Sequence, residues 1–512
     1  MPGSKSIILV TVDCLRADHC GFMGYQRPTT PFLDNLADES FVFPAAIVAG
    51  VPTYYSLPAV LASRYPLAVG REVLGLEVEE ANLASACKEN GYVTAFFGAS
   101  NPYLSARFGY NFGFDTFRDF LDDDIAPLSD PGNHPANGKW TARLNGSLKR
   151  ISQKIPWIGA AYDELYFQYC QRLAAPAAKS LDMLRRFPAA DVIVDQARTW
   201  LASVGESPFF LWLHFMDPHS PYYPTEKALE MFGENGLTPA RARYLNEYWN
   251  RSNIGSERLC RHRDEVVEMY DAGIRWVDTQ MARLVEALRR FKLWENCLLA
   301  FTADHGEEFL ENGSRYHAPA LGENLIHVPL MIRVAGAAGR GVASNPFSLV
   351  HLAPTLLEAA GLPIPSEFHG QSRCKHLREG TAWNEPSISE CVLGCTNPFR
   401  PDDRRGARLL AVREARYKLQ LNFDTGTDFL FDLEADPQEE KPLPSSTRKQ
   451  ERRRLLESAL EHLQRSATRQ NSAAYLRTRL REIDLNQLAA AAAASQHTAN
   501  SSQRYRGQVS SH

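Results

Sequence analysis

No stretch of this 512-residue sequence approaches the ~20 consecutive apolar residues of a membrane-spanning helix, so no segment is expected to cross a bilayer. Excess charge is nearly absent: 56 Lys and Arg stand against 60 Asp and Glu, a formal net charge of −4. With no basic stripe interleaved with aromatics, a nucleic-acid partner is excluded from the expected functions. The nine cysteines are odd in number and contain no C-x-x-C pair, which speaks against a disulfide framework and a zinc knuckle. No cleavable leader is expected, since Met1–Lys5 run straight into an apolar strand. The expected location is the cytoplasm.

What is present reads as a globular α/β chain, 44% hydrophobic and 23% charged. Its length suits one large α/β domain with an appendage, or two to three average domains. The chain is organised around Thr302-Ala303-Asp304-His305-Gly306-Glu307-Glu308, which follows the apolar run Cys297–Phe301. Such a run reads as a buried strand of a parallel sheet. An Asp-His pair at its carboxyl end lies where open α/β sheets hold ligands, and both side chains there can reach one divalent metal. A second strand, Ser6–Val12, ends in the same way at Asp13. A third, Pro208–Leu213, runs into His214-Phe215-Met216-Asp217-Pro218-His219 and aims more polar groups at that edge.

Between these strands the pattern predicts helices over Pro31–Ser40, Ala190–Val204, Glu265–Phe291 and Leu349–Ala360. Strands are predicted at Phe41–Phe43, Tyr92–Gly98 and Val328–Val334. Val51–Pro58 reads as a turn opening a short helix, Ala59–Ser63. Ser100-Asn101-Pro102 forms a loop on the edge that carries Asp13, and Asn101 is a candidate substrate contact. Residues 122–186 form an insertion whose basic and aromatic part, 144–186, is expected to pack as ordinary helices. An amphipathic lid or a peripheral lipid surface is the alternative. Strands within Leu409–Leu421 and Asp428–Leu433 form a smaller sheet, followed by a charged helix, Arg448–Ser466. The low-complexity tail from about 488 is expected to be disordered.

Six motifs in order resemble the sulfatase branch of the alkaline phosphatase superfamily. They are Val10-Thr11-Val12-Asp13-Cys14-Leu15-Arg16-Ala17-Asp18, Thr30-Pro31-Phe32-Leu33-Asp34, Arg64-Tyr65-Pro66, His214 through His219, Asp304-His305-Gly306-Glu307 and Phe431-Asp432-Leu433-Glu434-Ala435-Asp436-Pro437. The resemblance covers residues 6 to about 440. It implies an α/β/α sandwich around a mixed, mostly parallel sheet, with a small C-terminal α+β subdomain. The expected division is a catalytic domain over 1–370, the subdomain over 371–445, and a helical extension and tail over 446–512.

The resemblance also implies a site. Asp13, Asp304 and His305 would hold one divalent metal, Mn²⁺ or Mg²⁺ in preference to Zn²⁺ or Ca²⁺. Counting back from Arg64-Tyr65-Pro66 at the family's spacing places the nucleophile at Thr53, which would also complete the metal's coordination. The family's usual nucleophile is a formylglycine made from Cys, yet no Cys lies between Cys20 and Cys87. A Thr there resembles the phosphodiesterase and phosphotransferase members, and a metal plus a helix N-terminus would activate its hydroxyl. Leu57 stands where an Arg is usual, and Cys14 stands where sulfatases carry a second metal-binding Asp; Cys14 is expected to be a small packed thiol. His219 and His317, with His214, would neutralise the transferred group and protonate the leaving oxygen. The substrate is expected to be an anionic phospho- or sulfo-ester, phosphoesters favoured. Three alternatives stay open: a sulfatase with modified Ser56, a two-zinc phosphodiesterase using Asp217, His219 and His317, and a degenerate anion-binding protein.

Overall fold

Ser6–Val12 forms strand β1, and all seven residues are buried, which is why the stretch is continuously apolar rather than alternating. The computed structural model describes residues 5–467 except 69–73, 78, 122–166, 169–179, 233–236, 336–340, 343–344, 396, 399 and 401. Most of the 122–186 insertion and the whole tail beyond 467 therefore lie outside the described residues.

The strands that follow are β2 (Phe41–Val42), β3 (Val93–Gly98), β4 (Thr116–Arg118), β5 (Phe209–Phe215), β6 (Cys297–Ala303), β7 (Leu330–Val334) and β8 (Gly341–Val342). They form one eight-stranded sheet in the order β8-β2-β7-β6-β1-β5-β3-β4. Only β7 runs antiparallel to its neighbours β6 and β2; the other pairings are parallel. The sheet is mixed and mostly parallel, as the family resemblance implies. Its central strands meet at their carboxyl ends in register, with Val12 opposite both Phe215 and Ala303. The residues just beyond those ends, Asp13 and Asp304, thus emerge side by side.

Helices cover both faces. One layer contains α1 (Pro31–Ala37), α4 (Ala190–Val204) and the 28-residue α5 (Arg263–Arg290). The other contains α2 (Thr53–Ala62), α3 (Leu83–Glu89) and α6 (Leu352–Ala360). Among the described residues no helix is long and apolar enough to cross a membrane.

The start of α2 differs from the sequence expectation. It begins at Thr53, not Ala59, and runs through Pro58. A proline inside a helix costs ~3 kcal/mol, and that cost suggests a turn when the sequence is read alone. All ten residues of α2 are buried, and their packing outweighs it. A second difference is a missed strand, β9 (Ser387–Val392), which opens a four-stranded antiparallel sheet with β10 (Arg408–Arg413), β11 (Tyr417–Asn422) and β12 (Thr427–Asp432). Glu390 in its middle hides it from a hydrophobicity pattern. That carboxylate is buried because it accepts from Arg408 and from the Leu67 backbone N–H and faces His462. His462 belongs to α7 (Lys449–Ala467), which covers this small sheet with Leu455, Ala459 and Leu463.

The small sheet is joined to the main domain by a buried ion cluster. Lys418 Nζ, with no solvent exposure, lies 2.9 Å from Glu439 and 3.2 Å from Glu323, and Arg413 reaches Glu323 at 3.1 Å. Burial works against the Glu323 charge, but Lys418 and Arg413 outweigh it and hold the carboxyl near 2. Lys418→Met is expected to leave Glu439 buried without its cation and to cost about 3–5 kcal/mol. An unchanged urea midpoint for this variant would show that the cluster contributes nothing.

Candidate active site

The parallel register of β1 and β6 brings two fully buried carboxylates, Asp13 and Asp304, to one imidazole. His305 Nε2 lies 3.6 Å from Asp13 Oδ1 and 3.5 Å from Asp304 Oδ2. Its Nδ1 faces the Gly306 carbonyl at 2.8 Å, which orients the ring and leaves Nε2 as the ligating atom. Among the described residues, no lysine or arginine is paired with either carboxylate. Two buried charges so placed need a counter-charge, and this oxygen-rich set with one imidazole fits a divalent cation. Burial opposes the Asp13 charge, but the imidazoles of His219, His214 and His305 hold its carboxyl well below the usual range. Burial and then the Asp13 charge push Asp304 up.

Thr53, the first residue of α2, donates from Oγ1 to Asp304 Oδ2 at 2.7 Å and lies 3.3 Å from His305 Nε2. The helix start fixes that position and adds a field favouring negative charge on the oxygen. Ser56, one turn on, is buried with its Oγ unpartnered among the described residues and makes none of these contacts.

Across the cleft the rings of His219 and His317 are 4.9 Å apart, and His317 is 4.7 Å from His305. Burial would lower the His317 pKa, but Glu307, 3.3 Å from Nδ1, outweighs it and pushes it up to about 9. Burial dominates at His219 and lowers it. The pair therefore divides into a protonated and a neutral imidazole.

Four further residues have contacts that the sequence does not foretell. His214 is fully buried on the inner side of Asp13, 3.4 Å from Oδ2, with Nδ1 against Thr11 Oγ1 at 2.8 Å. From there a ring nitrogen lies within 4.8 Å of a carboxylate oxygen of Asp13 and of Asp304. Asn101 donates to Asp13 Oδ2 at 2.8 Å and accepts from the Tyr103 backbone N–H at 3.0 Å, so its amide positions Asp13. Asp217 Oδ1 accepts from Arg185 at 2.9 Å and from the start of α4, and the residue clustered with His219 and His317 is Cys14. Cys14 is no packed thiol among apolar groups: its sulfur lies 3.0 Å from Asp13 Oδ1 and 3.3 Å from His317 Nδ1. Glu307, quoted in the sequence only as part of a motif, is the group that charges His317; its burial beside a Tyr hydroxyl, Tyr222 at 3.1 Å, is tertiary information.

The Sulfatase family model matches residues 5–362, which contain every one of these side chains. The chain belongs to the sulfatase family. The C-terminal model of N-sulphoglucosamine sulphohydrolase matches residues 316–466, including the small sheet. Arylsulfatase K of Canis lupus familiaris is 26% identical over 279 residues, 48% of this chain and 50% of that protein. The match thus spans about half the length of that relative. The multifunctional alkaline phosphatase superfamily protein PehA of Trinickia caryophylli is 24% identical over 482 residues, covering 85% of this chain and 90% of that one. The phosphonate monoester hydrolase of Agrobacterium radiobacter shares the fold with a TM-score of 0.64 at 18% identity, over 90% of this chain and 96% of that one. Within this family frame the site offers a hydroxyl, a carboxylate pair with His305, and two imidazoles on opposite sides of one cleft.

Proposed function

We propose that this sulfatase-family chain transfers a phosphoryl-type group from a phosphate or phosphonate ester to Thr53, and then to water or another acceptor. The observation that carries the reading is the Thr53 hydroxyl, 2.7 Å from Asp304 Oδ2 and 3.3 Å from His305 Nε2. Asp13, Asp304, His305 and Thr53 would hold one divalent cation, Mn²⁺ or Mg²⁺ before Zn²⁺ or Ca²⁺. When bound, it supplies positive charge at the Thr53 oxygen and the transferred group.

The chain's own groups do the rest. Asp304 accepts the Thr53 proton as Thr53 Oγ1 bonds to phosphorus and the ester oxygen leaves, and returns it to Oγ1 when the Thr53–phosphorus bond breaks. His317, protonated up to about pH 9, gives that oxygen its proton. His219, kept neutral by burial, takes a proton from the incoming acceptor in the second half. Relatives named arylsulfatase and phosphonate monoester hydrolase support an anionic ester as the substrate class. The preference within it comes from the nucleophile: Thr53 has a single hydroxyl and cannot become a formylglycine. The cysteines among the described residues are all unpaired, which supports the reducing cytoplasm as the compartment.

The expected result is a higher kcat/KM for aryl phosphodiesters or phosphonate monoesters than for the aryl sulfate with the same leaving group, in the presence of Mn²⁺. A sulfate ester that outranks every phosphorus ester in this comparison rules the preference out.

A further inference from the structure

Cys14, His219 and His317 are left over once Asp13, Asp304 and His305 have been assigned to one ion. Their ligand atoms, one sulfur and one nitrogen from each ring, all lie within 4.8 Å of one another. The Cys14 Sγ to His317 Nδ1 separation is 3.3 Å. A tetrahedral zinc with its usual bond lengths sets such atoms about 3.3–3.6 Å apart, so small side-chain movements would close the set.

Neighbouring groups fix where each donor atom lies. His219 Nδ1 faces the Ser220 carbonyl at 2.5 Å, which leaves Nε2 with a lone pair. His305 is oriented in the same way by the Gly306 carbonyl. Glu307 Oε1 lies 3.3 Å from His317 Nδ1, the nitrogen that also faces Cys14, and is itself fixed by Tyr222. Cys14 adopts φ 60°, with its N–H on Asp304 Oδ1 at 3.3 Å and its carbonyl accepting from Tyr270 at 2.7 Å. Both ends of that residue are pinned, so its sulfur faces the cleft. His317 keeps 21% of its side chain exposed, so the cluster is open on one side.

We propose that Cys14, His219 and His317 bind a second divalent ion, zinc by preference, with its open position facing the substrate. A thiolate and two imidazoles select a softer ion than the oxygen-rich set beside it. Three protein ligands with a free fourth position are the pattern of a catalytic zinc, not a structural one. The proposal goes beyond the single-ion reading and does not depend on which ester is cleaved. In the two-ion form His219 and His317 would be ligands and not the proton carriers of the one-ion reading, and the second ion would supply the positive charge beside the leaving oxygen.

The test uses the full chain stripped of metal and titrated with Co²⁺, carrying Cys260→Ser because Cys260 is the exposed thiol among the described residues. The expected result is two equivalents bound and a near-ultraviolet thiolate-to-cobalt charge-transfer band. Cys14→Ser should remove one equivalent and the band, while Asp304→Asn should remove the other equivalent and leave the band. His317→Ala gives the second reading should Cys14→Ser fail to fold, and is likewise expected to lose one equivalent. A single equivalent in the Cys260→Ser chain, with or without the band, overturns the proposal, and so does a band that survives Cys14→Ser. Failure of the Thr53 or phosphoester reading would leave these titrations unchanged.

Discussion

Thr53→Ala is expected to lower kcat by on the order of 10⁶-fold, the cost of deleting the nucleophile in a comparable covalent enzyme. The expectation rests on one geometry: the Thr53 hydroxyl is at the start of α2 against Asp304 and His305, and Ser56 is not. Metal affinity should fall much less, since two carboxylates and an imidazole remain. Thr53→Ser should keep part of the activity because the hydroxyl survives. Ser56→Ala should be close to neutral, because the Ser56 oxygen has no partner to lose among the described residues. Side-by-side rates with an activated ester, together with mass spectrometry of a trapped Thr53 peptide, decide the matter. An active Thr53→Ala beside an inactive Ser56→Ala would move the role to Ser56.

Asp304→Ala is the second large effect, expected to abolish binding at the oxygen-rich site and turnover with it. Even partners that only orient a ligand cost 10–100-fold in metal affinity or activity, so losing the ligand itself should cost more. The fold should persist, because the strand-end loop contributes chemistry and little of the core. The metal-free variant should be no less stable than the metal-free parent: removing Asp304 relieves its repulsion with Asp13, the charge that with burial pushes Asp304 up. What disappears is the stabilisation by added Mn²⁺, about 2.7 kcal/mol at a hundredfold excess over Kd in the parent. Thermal melts with and without Mn²⁺ read this directly. An Mn²⁺-dependent rise in Tm that survives Asp304→Ala would remove Asp304 from the ligand set.

Much of this architecture was legible in the residues themselves. The runs Ser6–Val12 and Cys297–Phe301 are apolar without alternation because both faces are covered, and strand-end Asp13 and Asp304-His305 follow from where a parallel sheet opens. The apolar stripe of α5 marks a long helix for the same reason of periodicity. Local rules misled where tertiary packing overrode them, at Pro58 inside α2 and at Glu390 inside β9, each kept in place by burial or by partners far along the chain.

The sequence alone determined which chemical groups arrive at the sheet edge, because strand register and chain order bring Asp13, Thr53, His219, Asp304, His305 and His317 there. Only the tertiary structure decided which way each group faces. Asn101 and His214 turn inward to hold Asp13, Asp217 turns to Arg185, and Cys14 turns from the core toward two imidazoles. The reason is physical: a side chain's direction at a strand end is set by hydrogen bonds and charges from residues tens to hundreds of positions away, and no local pattern encodes them.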